Sequence, residues 1–176
     1  MRKLLTLTMA SLLTLTIGCT NSGERNNSTP TVVTATYALE FIAQQVVGEH
    51  AEVSSLAVPG AEPHDLALQP SQVASIASAT VVFYATGLQP EVDKVIANQK
   101  PAFAVDATGL TGSKAASLGE QRDPHFWLDP TLMAKATDGF ATQMSKADPD
   151  HADSYAANAA ALEQRLKGLD SEFKKG

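Results

Sequence analysis

From Thr31 onward the chain alternates two hydrophobic rhythms. Short runs of β-branched, aromatic and small apolar residues predict strands at TVVTAT (31–36), AEVSSLAV (51–58), TVVFYAT (80–86) and AFAVDAT (102–108). Between them lie patterns with helical spacing. YALEFIAQQVVG (37–48) closes on Gly48, while QPSQVASIASA (69–79) and QPEVDKVIANQ (89–99) each open with a proline at the first turn. Strands separated by single helices predict parallel βαβ units, hence an α/β domain with a parallel sheet flanked by helices.

The pattern changes after residue 108. GLTGSKAASLGEQRDP (109–124) is a long polar connection. HFWLDP (125–130) then offers Asp129 as an N-cap and Pro130 as the first helical residue, predicting a helix to about Ala147. A last helix is predicted from Asp148 as cap and Pro149 as first residue. Tyr155, Ala159, Leu162, Leu166, Leu169 and Phe173 recur along it at spacings of four and three, forming one apolar seam interrupted only by Gly168. A seam that runs almost to the last residue implies that the sequence continues beyond Gly176.

The first 18 residues follow a different logic. Arg2 and Lys3 precede the apolar stretch LLTLTMASLLTLTI, which is too short and too rich in Thr and Ser for a membrane span and reads as an export signal. Cys19 is the only cysteine, so no internal disulfide is available. Its place after TIG looks like a bacterial lipobox, which implies cleavage after Gly18 and lipid on Cys19. Thr16 departs from the Leu usual in that motif. TNSGERNNSTP (20–30) reads as a flexible tether, so that residues 19–30 form a lipid-anchored leader.

Composition narrows the function. Hydrophobic residues make up 44% of the 176, a globular proportion, and the formal net charge of −6 argues against a nucleic-acid partner. There is no Gly-x-Ser-x-Gly, no phosphate-binding loop and no Gly-x-Gly-x-x-Gly.

The chemistry rests on histidines. His64 follows the second predicted strand in PGAEPHDLALQPSQV (59–73), and His125 follows the loop after the fourth. In open α/β sheets ligands bind at the carboxyl ends of the strands, the edge on which both loops lie. Neutral imidazole suits zinc and other first-row ions, and Asp65, Asp123 and Asp129 lie near enough in sequence to orient the rings. Spacing alone leaves the alternative open of two polar loop residues. His50, in the GEHAE turn, and His151, in the first turn of the last helix, read as solvent-exposed. Glu62 offers a general base for a zinc hydrolase, without a second catalytic partner.

Four stretches together carry a resemblance. PGAEPHDLALQPSQV, TVVFYATGLQPEVD, DPHFWLDP and ADPDHADSYAANAAALEQRLKGLDSEF resemble, in order and approximate spacing, the metal-binding solute-binding lipoproteins of bacterial ABC importers of zinc and manganese. The resemblance implies one lobe of a two-lobed fold, with residues 31–147 as the amino-terminal metal-binding lobe and 148–176 as the start of a long linking helix. It implies His64 and His125 as metal ligands. It also implies zinc as cargo, with manganese as the alternative, an ABC importer permease as partner, and a lipid anchor at the outer face of the cell membrane. The third ligand and the carboxylate that such proteins draw from a second lobe have no counterpart here, so the chain resembles an amino-terminal half that binds metal weakly alone. The 109–124 loop lacks the histidines common in zinc-type members. A non-enzymatic carrier is therefore the expectation; a surface adhesin and a zinc hydrolase are the competing readings.

Overall fold

The computed structural model describes residues 28–60, 62–112 and 123–176. The expected export signal, Cys19, most of the tether and the middle of the polar connection lie outside the described residues.

Four parallel strands form one sheet: β1 (Thr31–Thr34), β2 (Glu52–Ser55), β3 (Val81–Tyr84) and β4 (Ala104–Asp106), in the order β2-β1-β3-β4. Each is shorter than its hydrophobic run. β2 is held to four residues by its partner, since pairing runs only from Thr31 with Glu52 to Thr34 with Ser55. The central strands β1 and β3 are buried almost throughout, whereas β2, paired on one side only, alternates exposed and half-buried residues.

Helix α1 (Tyr37–Val47) starts where the Thr36 hydroxyl accepts the Leu39 N–H, and ends at Gly48, whose φ of 56° suits a residue without Cβ. It buries Leu39, Ile42, Ala43, Val46 and Val47. Helices α2 (Pro70–Ser78) and α3 (Pro90–Gln99) both begin with proline at the first turn, as the sequence predicts, and pack against each other. A short helix absent from the sequence reading, α4 (Ala107–Thr111), continues directly from β4, capped by the Asp106 carboxylate on the Thr108 N–H. Helix α5 (Pro130–Ala147) passes close to α4: a Cβ on Gly139 would sit 2.7 Å from Leu110 Cδ2.

The last helix, α6 (Ala152–Phe173), packs on α5 and α1. It begins later than expected. Pro149–His151 forms a 3-10 turn first, and Asp148 does not cap the helix with its side chain. The seam buries Tyr155, Ala159, Leu162 and Leu166, but Leu169 is 40% and Phe173 67% exposed. The core runs from the sheet into this helical layer, where Phe83 of β3 stacks on Phe140 of α5 at 4.4 Å.

From β1 the chain steps outward to β2, then returns past β1 to β3 and on to β4. The carboxyl ends of β1 and β3 therefore border the point where the winding reverses, the place where doubly wound sheets hold ligands.

Candidate metal centre

His64 sits in a 3-10 turn, Pro63–Asp65, on the path from β2 to α2. Proline sets the turn's first φ and the Glu62 carboxylate accepts the His64 N–H at 3.4 Å. Glu62, the candidate general base, therefore caps the turn. The ring is oriented from the next loop: His64 Nδ1 donates to the Leu88 carbonyl at 3.1 Å.

His125 precedes a second 3-10 turn, Phe126–Leu128, which drives Phe126 into the core and leaves His125 on the surface, its side chain 40% exposed. Asp123 holds this ring. One carboxylate oxygen accepts from both the His125 N–H at 3.0 Å and Nδ1 at 2.8 Å. Those two bonds, the backbone one foremost, keep the Asp123 carboxyl below the usual range and hence ionised at neutral pH. Trp127 lies edge-on to His125, with ring centroids 5.2 Å apart, and touches Tyr37 at 6.4 Å.

The two rings, 61 residues apart in sequence, meet with their Nε2 atoms 3.2 Å from each other. A carbonyl and a carboxylate can only accept, so both Nδ1 atoms carry protons. In neutral rings both Nε2 atoms then present lone pairs, and two lone pairs at this distance repel unless a proton or a cation lies between them. Two imidazoles on one tetrahedral zinc, at about 2.0–2.1 Å each, leave their nitrogens about 3.3–3.4 Å apart. The spacing fits either occupant.

The remaining candidates divide. Asp129 bonds to the start of α5, accepting from the Thr131 hydroxyl and N–H, each at 2.7 Å, and from the Leu132 N–H at 3.4 Å. The Thr131 hydroxyl, aided by these N–H groups, holds its carboxyl below the ordinary value. Asp129 is thus the predicted N-cap and bonds neither ring. Asp65 is exposed in the His64 turn, without a hydrogen bond to either histidine. No third His, Cys, Asp or Glu completes a metal-holding group among the described residues. A cleft of about 550 Å³ opens beside His64, with Tyr37, Val58, Glu62, Pro63 and Gln89 in its walls.

His50 and His151 correct the sequence reading. Both are half-buried, and their rings stack at 4.2 Å and 24°. His151 Nδ1 donates to Asp148 at 2.7 Å, and the Tyr155 hydroxyl donates to the same oxygen at 2.5 Å. Nothing in local spacing announces this cluster, because the end of α1 and the start of α6 come together only in the fold.

The fold has counterparts among metal-binding proteins. The zinc-bound crystal structure of AdcA from Streptococcus pneumoniae superposes with a TM-score of 0.75 at 28% identity, covering 83% of this chain and 32% of that one. The chain belongs to the family described as zinc-uptake complex component A, periplasmic (ZnuA), whose model matches residues 32–176. The manganese-binding lipoprotein MntA of Bacillus subtilis is 33% identical over 178 residues, spanning 95% of this chain and 58% of its own length. The zinc-binding lipoprotein AdcA of Streptococcus pneumoniae is 29% identical over 191 residues, spanning 99% of this chain and 38% of its own. The chain thus spans 58% and 38% of the lengths of these two curated relatives. Among the described residues no helix is long and apolar enough to cross a membrane.

Proposed function

We propose that the chain captures a divalent transition metal outside the cytoplasm, through His64 and His125, and passes it to an ABC importer permease. The observation that carries this reading is the 3.2 Å approach of two Nε2 atoms whose Nδ1 partners are both committed to oxygen acceptors. Each ring is held in the tautomer a metal ligand needs. Zinc is the proposed cargo. Both donors are imidazole nitrogens, which suit zinc better than they suit manganese, an ion favouring carboxylate and water oxygens. Relatives that bind zinc and one that binds manganese bracket the choice.

In this reading the protein is a carrier and not a hydrolase. Residues 1–18 direct export, and lipid on Cys19 with the 19–30 tether holds the protein at the membrane's outer face. Residues 31–147 form the metal-holding lobe and 148–176 the beginning of a linking helix. Two imidazoles fill two of the four positions zinc ordinarily takes. Water, or groups outside the described residues, fills the others, so the chain by itself binds zinc weakly.

Calorimetric titration of the purified chain with zinc and with manganese tests the reading. One zinc site, tighter than any manganese site and weakened at least about tenfold in both His64→Ala and His125→Ala, is the expected result. Equal binding by parent and variants removes the pair as the site. Turnover on an ester or peptide panel, lost with chelator, would replace the carrier with an enzyme.

A further inference from the structure

Among the described residues Gln89 is one of few buried polar side chains, 3% exposed, and it lies where the winding of the sheet reverses. It is the N-cap residue of α3, yet its side chain makes no capping bond to that helix. Its amide nitrogen instead donates twice: to the Pro63 carbonyl at 2.9 Å and to the Ala35 carbonyl at 3.2 Å. Pro63 immediately precedes His64, and Ala35 lies just beyond β1. The residue before Gln89 is Leu88, whose carbonyl receives the His64 ring proton.

One short segment thus grips the His64 turn twice, by its backbone through Leu88 and by its side chain through Gln89, and ties both to the end of β1. The segment is itself fixed. The Thr86 N–H donates to Asp106 at 3.0 Å, the Gly87 N–H to Asp93 at 2.9 Å, and the Leu88 N–H to the Ala85 carbonyl at 3.2 Å. An amide uses both N–H bonds here. No carboxylate or hydrocarbon of similar shape supplies two donors to two carbonyls.

We propose that Gln89 is the positioning residue of His64: its buried amide clamps the carbonyls of Pro63 and Ala35 so that the His64 ring reaches the Leu88 carbonyl and turns Nε2 toward His125. The proposal rests on the reading of His64 as a metal ligand. Its effect on ring orientation, however, exists without metal.

The test compares Gln89→Leu and Gln89→Glu with Gln72→Leu in the purified chain. Gln72 also ties a helix start to the sheet edge, donating to the Leu56 carbonyl at 3.1 Å and accepting the Gln69 N–H at 2.9 Å, but neither bond involves the His64 turn. Two readouts are taken: zinc affinity by calorimetry, and the His64 tautomer in metal-free protein from long-range proton–nitrogen NMR correlations at a pH where the rings are neutral. Both Gln89 variants are expected to weaken zinc about tenfold and to lose the single Nδ1–H form of His64. Gln72→Leu, brought to a matching loss of melting temperature, is expected to keep both. Should Gln89→Leu fail to fold, Gln89→Glu carries the comparison, with the same shape and no second donor. Unchanged affinity and tautomer in the Gln89 variants overturn the proposal, as does an equal loss in Gln72→Leu. If the parent chain binds no zinc, the ligand reading fails separately, and the tautomer alone decides the role of Gln89.

Discussion

Asp148 accepts two hydrogen bonds on one oxygen, from the Tyr155 hydroxyl and from His151 Nδ1. Partial burial works against its ionisation, but those bonds outweigh it and hold the carboxyl below its ordinary value. Burial and the same carboxylate push the Tyr155 hydroxyl far above its usual range, so it stays protonated and donating. Asp148→Ala is expected to cost roughly 2–3 kcal/mol and Tyr155→Phe about 1–2 kcal/mol in urea unfolding, as befits hydrogen bonds to a charged group. The pH dependence has a definite sign. A depressed carboxyl stabilises the fold fully above its unfolded value of about 3.9, and that contribution disappears as pH falls through the lower folded value. The gap in stability between parent and Asp148→Ala should therefore narrow from about pH 7 to about pH 3. A constant gap would mean that Asp148 acts by packing alone. At the proposed metal centre, Asp123→Ala is expected to weaken zinc about tenfold by freeing the His125 ring, a change that calorimetry reads directly.

Between elements, two glycines make opposite predictions. Gly168 lies in the exposed part of α6 with nothing within 4 Å of an added Cβ. Gly168→Ala should stabilise by about 0.5–1 kcal/mol, through helix propensity and a less free unfolded chain. Gly139 faces Leu110 of α4, where an added Cβ meets three side-chain carbons at 3.0 Å or less. Its helical gain is opposed by overpacking, so Gly139→Ala should melt no higher than the parent. A higher melting temperature for Gly139→Ala would mean that α4 yields easily.

The same level shows what sequence patterning could reach. Hydrophobic period and prolines at first turns place α1, α2, α3 and α5 to within a residue or two, because those signals are local. The start of α6 is missed for another reason: Asp148 is drawn off by His151 and Tyr155, three and seven residues on, and helical period does not say which of these local partners a carboxylate takes. Period finds the apolar seam of α6 but not where its partner ends, which is why Leu169 and Phe173 emerge exposed. At the centre, the sheet-edge rule brings out His64 and His125. The Leu88 carbonyl that orients His64 has no signature, as every residue carries one, and Gln89 in sequence looks like an ordinary helix-start residue.

Over the whole molecule, a ligand that binds only the folded chain raises its stability by mass action. Zinc at a hundredfold excess over its dissociation constant should add about 2.7 kcal/mol, visible as a higher melting temperature that a chelator reverses. His64→Ala should show no such shift. A shift that persists in His64→Ala would place zinc elsewhere on the chain.

The two rings come from loops that follow different strands, and it is the folded sheet edge that brings them to 3.2 Å. A peptide copied from either histidine motif should therefore hold zinc no better than free imidazole, however faithfully it preserves the sequence. The spacing that matters is written in no contiguous stretch. It is an emergent dimension of the folded edge, and substitutions that leave both histidines untouched can still erase it.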